Sequence, residues 1–346
     1  MNRLISAFVL ILFCASAAAA DPHWDRIAPC FQPPEEFKND FGKYAKLTTN
    51  QAALRAAWEK EIGAWPALIE KPRWEFLNEA TRETFRQQRV RVEIAPGRFS
   101  EGWLLSPLGR GPFPAVVVPF YEPETSAGLG ERKLRDFGYQ LAKRGFVTLS
   151  IGSPGGDARK PDTEGVPVQP LHYLGYIAAN CAKALAALPK VDPARIGVAG
   201  HSYGGKWAMF AMAFGTNFAA GVWSDPGIVF DEQRSNINYW EPWYLGAEAD
   251  KARKPGVPTP ENPVTGAYRR LRASGRDLTE VMALAAPRPF FVSGGSEDPP
   301  ERWQALNRVN EVYHALGATN RVGMSNRPSH DPTEASNELI YSFFEH

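Results

Sequence analysis

The stretch Arg195-Ile-Gly-Val-Ala-Gly-His-Ser-Tyr-Gly-Gly-Lys206 constrains this chain more than any other. An apolar run, Ile196 to Ala199, leads into Gly200-His-Ser-Tyr-Gly204, and an apolar run rich in helix formers, Trp207 to Phe214, follows. The pattern predicts strand, sharp turn, helix. Glycines two residues either side of Ser202 suit a strained turn in which larger side chains would strike neighbouring backbone. Such a turn lifts the serine hydroxyl clear of the sheet and points the helix N-terminus, with its unpaired N–H groups, at charge developing on a bound oxygen. The Tyr203 N–H is one candidate donor to that oxygen.

The chain begins with a different signal. Met1 to Ala20 has Arg3 as its only charge, an apolar core from Leu4 to Phe13, and Ala18-x-Ala20 before Asp21. This predicts a secretory signal peptide over residues 1–20, and hence a secreted or periplasmic protein. Phe13 stands where a lipid-attachment site at Cys14 requires a small residue, so no lipid anchor is expected. No later stretch is apolar enough to span a bilayer, and a formal net charge of +1 gives no reason to expect nucleic acid or membrane partners. Cleavage leaves Cys30 and Cys181 in a compartment that permits disulfides, with pairing and two free thiols both open. The oligomeric state is not readable.

The roughly 325 residues after cleavage suit one large domain with an N-terminal extension. Residues 21–87, Trp- and charge-rich with a helical pattern at Gln51 to Ile62, are read as an extension packed on the core. An antiparallel pair is expected at Val90 to Ile94 and Phe99 to Leu105, turning at Pro96-Gly97. Strands and helices then alternate: strands at Phe113 to Phe120 and Phe146 to Ile151, helices at Glu131 to Gly145 and Leu171 to Leu188, and then the strand of the serine turn. Further strands are expected at Ala219 to Ser224, Arg288 to Ser293 and Arg321 to Met324, with helices at Glu301 to Leu316 and from Thr333. An irregular insertion covers about 228–276. Alternation of this kind predicts an α/β architecture, a mostly parallel sheet covered by helices on both faces.

This order over residues 88–346 resembles the α/β-hydrolase fold, on the strength of Gly200-His-Ser-Tyr-Gly204, Gly295-Ser-Glu-Asp-Pro299 and Ser329-His330. The resemblance implies a nucleophile, an acid and a histidine in that chain order. Ser202 matches the nucleophile and His330 the general base. For the acid, Asp298 stands in the usual place after the strand at Pro289 to Ser293 and is favoured. Asp225, after the preceding strand, and Glu297 are the alternatives. Each would serve by holding one histidine tautomer and stabilising the imidazolium. The second oxyanion donor falls to the Tyr121 N–H, because Phe120-Tyr-Glu-Pro-Glu124 replaces the usual His-Gly-Gly-Gly loop.

Trp207, Trp223, Trp240 and Trp243 lie in segments that would rim the site, and flat indole faces suit sugar rings or phenolic acyl groups. Gly-x-Ser-x-x-Gly-Lys206 resembles the elbow of the glucuronoyl esterases, which implies that Lys206 contacts the sugar part of a uronate ester. Tyr203 stands where those enzymes carry an arginine, and His201 differs from their common elbow residue. The broader resemblance is to dienelactone-hydrolase-like and acetylxylan-esterase-like enzymes. Together these imply a serine esterase acting on carbohydrate-linked esters (acetyl, feruloyl or uronate), with no metal and no cofactor. Gly-x-Ser-Tyr-Gly-Gly is also similar to the prolyl oligopeptidases, so a serine peptidase is an alternative, although the short extension cannot supply their propeller. A non-catalytic glycan-binding relative is the third reading.

Overall fold

Strands β4 (Phe113–Pro119), β5 (Val147–Ile151), β6 (Val191–His201), β7 (Ala220–Ser224), β8 (Phe290–Gly294) and β9 (Val322–Asn326) run parallel in one sheet in the computed structural model. The structure describes residues 21–38, 46–163 and 165–346; the signal peptide expected at 1–20 lies outside them. Three antiparallel strands, β1 (Trp74–Arg82), β2 (Phe85–Ala95) and β3 (Arg98–Pro107), extend one edge. The nine strands lie in the order β1-β2-β3-β5-β4-β6-β7-β8-β9.

Both faces are covered, and the alternation along β4 shows why its sequence is a continuous apolar run. Ala115 and Val117 enter one core cluster while Val116 and Val118 enter the other. The larger cluster packs the sheet against α2 (Gln51–Ile62), α5 (Pro170–Ala186), α6 (Tyr203–Phe214), α8 (Leu278–Leu284) and α9 (Trp303–Ala315). The other face is closed by α1 (Pro22–Ile27), α4 (Phe137–Lys143) and α10 (Glu334–Glu345). Two short helices, α3 (Pro123–Ser126) and α7 (Gly266–Ala273), sit in connections. Thr333 caps α10 through a reciprocal pair of hydrogen bonds with Ser336, which fixes where the segment after β9 stops and the last helix begins.

Two expectations change. The sheet starts at Trp74, inside the segment read as an extension. Cross-strand ion pairs Arg86–Glu79 and Arg91–Glu75 line this edge, and Phe76 and Leu77 are exposed, so β1 lacks the apolar alternation that marks a strand. The helix expected from Glu131 begins only at Phe137, because Leu134 adopts φ +60°. Its carbonyl is held there by the Asn337 amide. Cys30 and Cys181 are free thiols in separate core clusters, and burial raises both pKa values, Cys30 to about 11.

Candidate active site

Ser202 occupies the turn between β6 and α6 with φ +54° and ψ −111°, a conformation rare for a non-glycine residue. Its N–H donates to the Ser224 carbonyl at 2.7 Å. The flanking glycines are sterically required. A Cβ on Gly200 would lie 2.2 Å from the Gly204 backbone, and one on Gly204 would lie 2.1 Å from the Pro119 carbonyl oxygen.

The His330 Nε2 lies 2.9 Å from Ser202 Oγ, and its Nδ1 lies 2.7 Å from Asp225 Oδ2. A carboxylate on Nδ1 holds the ring proton there and leaves Nε2 to accept from the serine. Asp225 is wholly buried, and its Oδ1 accepts the N–H groups of Gly295, Glu297 and Asp298. Gly295 admits this closeness, since a Cβ there would meet Asp225 Oδ2 at 2.7 Å and the Ser329 carbonyl at 2.3 Å.

The carboxylate that reaches His330 is therefore Asp225, and the favoured candidate, Asp298, does not make that contact. Asp298 instead accepts from the N–H groups of Gly227 at 2.9 Å and Ile228 at 2.6 Å. Burial and the neighbouring Asp225 push its pKa up to about 7. Glu297 accepts from the Asn236 amide at 3.1 Å. Donor atoms of Asp225, Glu297 and His330 lie within 4.8 Å of one another, spacing that would admit a metal ion. Hydrogen bonds already account for both Asp225 oxygens and both ring nitrogens of His330.

Tyr203 opens α6, so its N–H lies ahead of the intrahelical ladder. Its ring stacks on Tyr121 at 4.7 Å, and its hydroxyl accepts from Ser153 at 3.1 Å. The Tyr121 carbonyl accepts from Ser153 N–H, which ties the loop after β4 to the loop after β5. A cavity of about 380 Å³ adjoins this pair, lined by Tyr121, Glu122, Glu124, Ser153 and Gly155 among others. A larger one, about 820 Å³, opens at the amino ends of the parallel strands near Pro114, Ala219 and Pro289, and is lined by none of Ser202, Asp225 and His330.

Three of the four indoles expected at the rim are core. Trp207, Trp223 and Trp240 are fully buried. Trp223 stacks on Phe290 at 4.2 Å, and Trp240 donates to the Gly256 carbonyl within the insertion. A buried Glu241–Arg253 pair stiffens the same insertion, so Trp240 belongs to its small core. Trp243 is half-buried with the Arg159 guanidinium 5.9 Å from its ring centre.

Lys206 does not reach solvent. Its Nζ donates to the Asn236 carbonyl at 2.9 Å and lies 5.0 Å from the Tyr239 ring centre and 5.6 Å from that of Tyr244. Burial depresses its pKa to about 8, against the opposing pull of Asp298, Glu297 and Asp225. A lysine whose folded pKa lies below its unfolded one makes the native state bind fewer protons, so stability rises with pH from about 8 towards 10.5. Replacing Lys206 with Met removes that rise. Between pH 8 and 10.5 the unfolding free energy of wild type should gain on the variant by an amount on the order of 3 kcal/mol, measured by denaturant titration at each pH. A constant difference would show that the ammonium is not desolvated.

Comparison with known proteins adds to this geometry. The prolyl oligopeptidase family model matches residues 178–259. No curated protein matches the chain. Among solved structures, a glucuronoyl esterase from Solibacter usitatus superposes with a TM-score of 0.66 at 15% identity, covering 92% of this chain and 96% of that one. The chain has the α/β-hydrolase fold. A CE15 glucuronoyl esterase from Teredinibacter turnerae shares this fold with a TM-score of 0.62 at 19% identity, over 94% of this chain and 89% of the other. Acetyl xylan esterase 1 from a Thermoanaerobacterium species gives 0.54 at 14% identity, over 90% and 98%. The carboxylate in contact with His330 stands after β7, one strand earlier than the position sequence order favoured.

Proposed function

We propose that the protein is a secreted serine hydrolase of carboxylic esters linked to carbohydrate. The observation that carries this reading is the continuous hydrogen-bonded chain from Ser202 Oγ through His330 to the buried Asp225. Ser202 attacks the ester carbonyl while its proton passes to His330 Nε2. The Tyr203 N–H, with the Tyr121 N–H as second donor, stabilises the tetrahedral oxyanion. The intermediate collapses to an acyl-enzyme, and the alcohol leaves with the proton from Nε2. His330 then deprotonates a water, which releases the acid and regenerates Ser202.

Support for the substrate class comes from neighbours whose names specify glucuronoyl and acetyl xylan esters. Of the residues expected to touch substrate, Trp243 offers an accessible ring. Lys206, expected to touch the sugar, is instead buried under the insertion, one helical turn from Ser202. Export rests on Met1 to Ala20.

A panel of acetyl, feruloyl and methyl-glucuronate sugar esters tests the proposal. Turnover of at least one, well above that of a matched amide, is the expected result. The match to the prolyl oligopeptidase family favours a peptidase as the second reading. Cleavage of peptide amides with no sugar ester turned over would make that reading the correct one.

A further inference from the structure

Arg327 follows directly on β9, and its guanidinium is buried without a carboxylate in hydrogen-bond contact among the described residues. Its five N–H groups are spent on the backbone and on hydroxyls. Nη1 donates to the Ser293 carbonyl at 2.7 Å, the Ser293 hydroxyl at 3.0 Å and the Gly294 carbonyl at 3.3 Å. Nη2 donates to the His330 carbonyl at 2.8 Å and the Ser224 hydroxyl at 3.3 Å. Nε donates to the Asp331 carbonyl at 2.9 Å.

Those acceptors fall in three places. Ser224 ends β7 and immediately precedes Asp225. Ser293 and Gly294 end β8 and precede Gly295, whose N–H fixes Asp225 Oδ1. His330 and Asp331 form the segment that carries the proposed general base. One planar fork thus joins the acid's strand end, the strand end that supplies the acid's N–H donors, and the histidine segment.

Resting on the serine-hydrolase reading above, we infer that Arg327 is a positioning residue that sets the His330–Asp225 distance by clamping the main chain of the histidine loop to the carboxyl ends of β7 and β8. Besides Arg327, the histidine loop is tied by the Arg135–Asp331 ion pair, whose Asp331 end is exposed, and by the His330 ring itself. A lysine keeps the charge but cannot span three acceptor groups from one rigid plane.

The test compares Arg327→Met and Arg327→Lys with wild type in the mature protein, using p-nitrophenyl acetate turnover and the low-field proton NMR spectrum. In wild type, the short His330 Nδ1–H bond to Asp225 gives a far-downfield resonance, identified by its loss in His330→Gln. Arg327→Met lowers kcat about 100-fold with KM within about threefold, because a lost orientation acts on the transition state more than on binding. Its downfield resonance broadens or shifts. Arg327→Lys recovers at most about tenfold of the loss. A folded Arg327→Met variant with kcat within threefold of wild type, or with an unchanged resonance, overturns the inference. If that variant does not fold, Arg327→Lys decides on the same two readouts, and wild-type values for both overturn it. The resonance is also recorded in Ser202→Ala. It reports on the His330–Asp225 geometry whether or not Ser202 is the nucleophile, so failure of the serine reading and failure of the clamp are read separately.

Discussion

Replacing Asp225 with Asn is expected to lower kcat by about four orders of magnitude while leaving the fold intact. The carboxylate is wholly buried, and Oδ2 sits 2.7 Å from His330 Nδ1. An amide of the same shape cannot stabilise the imidazolium that forms when Ser202 loses its proton, and its N–H₂ would press His330 towards the wrong tautomer. Asn at Asp298 should cost much less in kcat, because that carboxylate faces Gly227 and Ile228 and does not touch the ring. Steady-state kinetics on the two variants separates them. A larger kcat loss for Asp298→Asn would contradict the geometry.

Ser202→Ala is expected to have the largest effect of any single change. The nucleophile and base act as a unit, and loss of either removes covalent catalysis, on the order of 10⁶ in kcat for a serine triad. Its fold should survive, because alanine fits the same turn. The left-handed backbone there costs about 1–3 kcal/mol with either side chain, so unfolding should move little. Circular dichroism and thermal melts check the fold, and hydrolysis of an activated ester checks the loss. Turnover within tenfold of wild type would remove the serine mechanism.

The turn at Ser202 is legible in the sequence because its physics is local: two glycines whose missing Cβ atoms would collide at about 2 Å leave few other conformations for Gly200 to Gly204. The parallel sheet is legible for a similar reason, since strands such as β4 bury both faces and read as unbroken apolar runs. The choice of acid is not local. β7 and β8 are hydrogen-bonded neighbours whose carboxyl ends lie side by side, and Asp225 and Asp298 each follow one of them. Which carboxylate turns towards His330 depends on Gly295 packing against it and on three N–H groups that span the two loops, and no spacing encodes that.

The tryptophans illustrate the same limit. Trp207 lies close to Ser202 in sequence, but α6 is buried on all sides, so nearness to the elbow says nothing about facing the cleft. Lys206 sits in that same helix, and its burial follows from the insertion folding over it through Asn236, Tyr239 and Tyr244. Arg327 gives no pattern at all, because its partners are main-chain carbonyls and hydroxyls contributed by two strand ends and the histidine loop.

Covalent capture tests the central claim most directly. Wild-type protein is incubated with a fluorophosphonate, digested and mapped by mass spectrometry, alongside Asp225→Asn and Asp298→Asn. A single adduct on the peptide bearing Ser202, formed much more slowly in Asp225→Asn than in Asp298→Asn, is the predicted result. No adduct in the folded wild-type protein, or an adduct on another residue, would contradict the account.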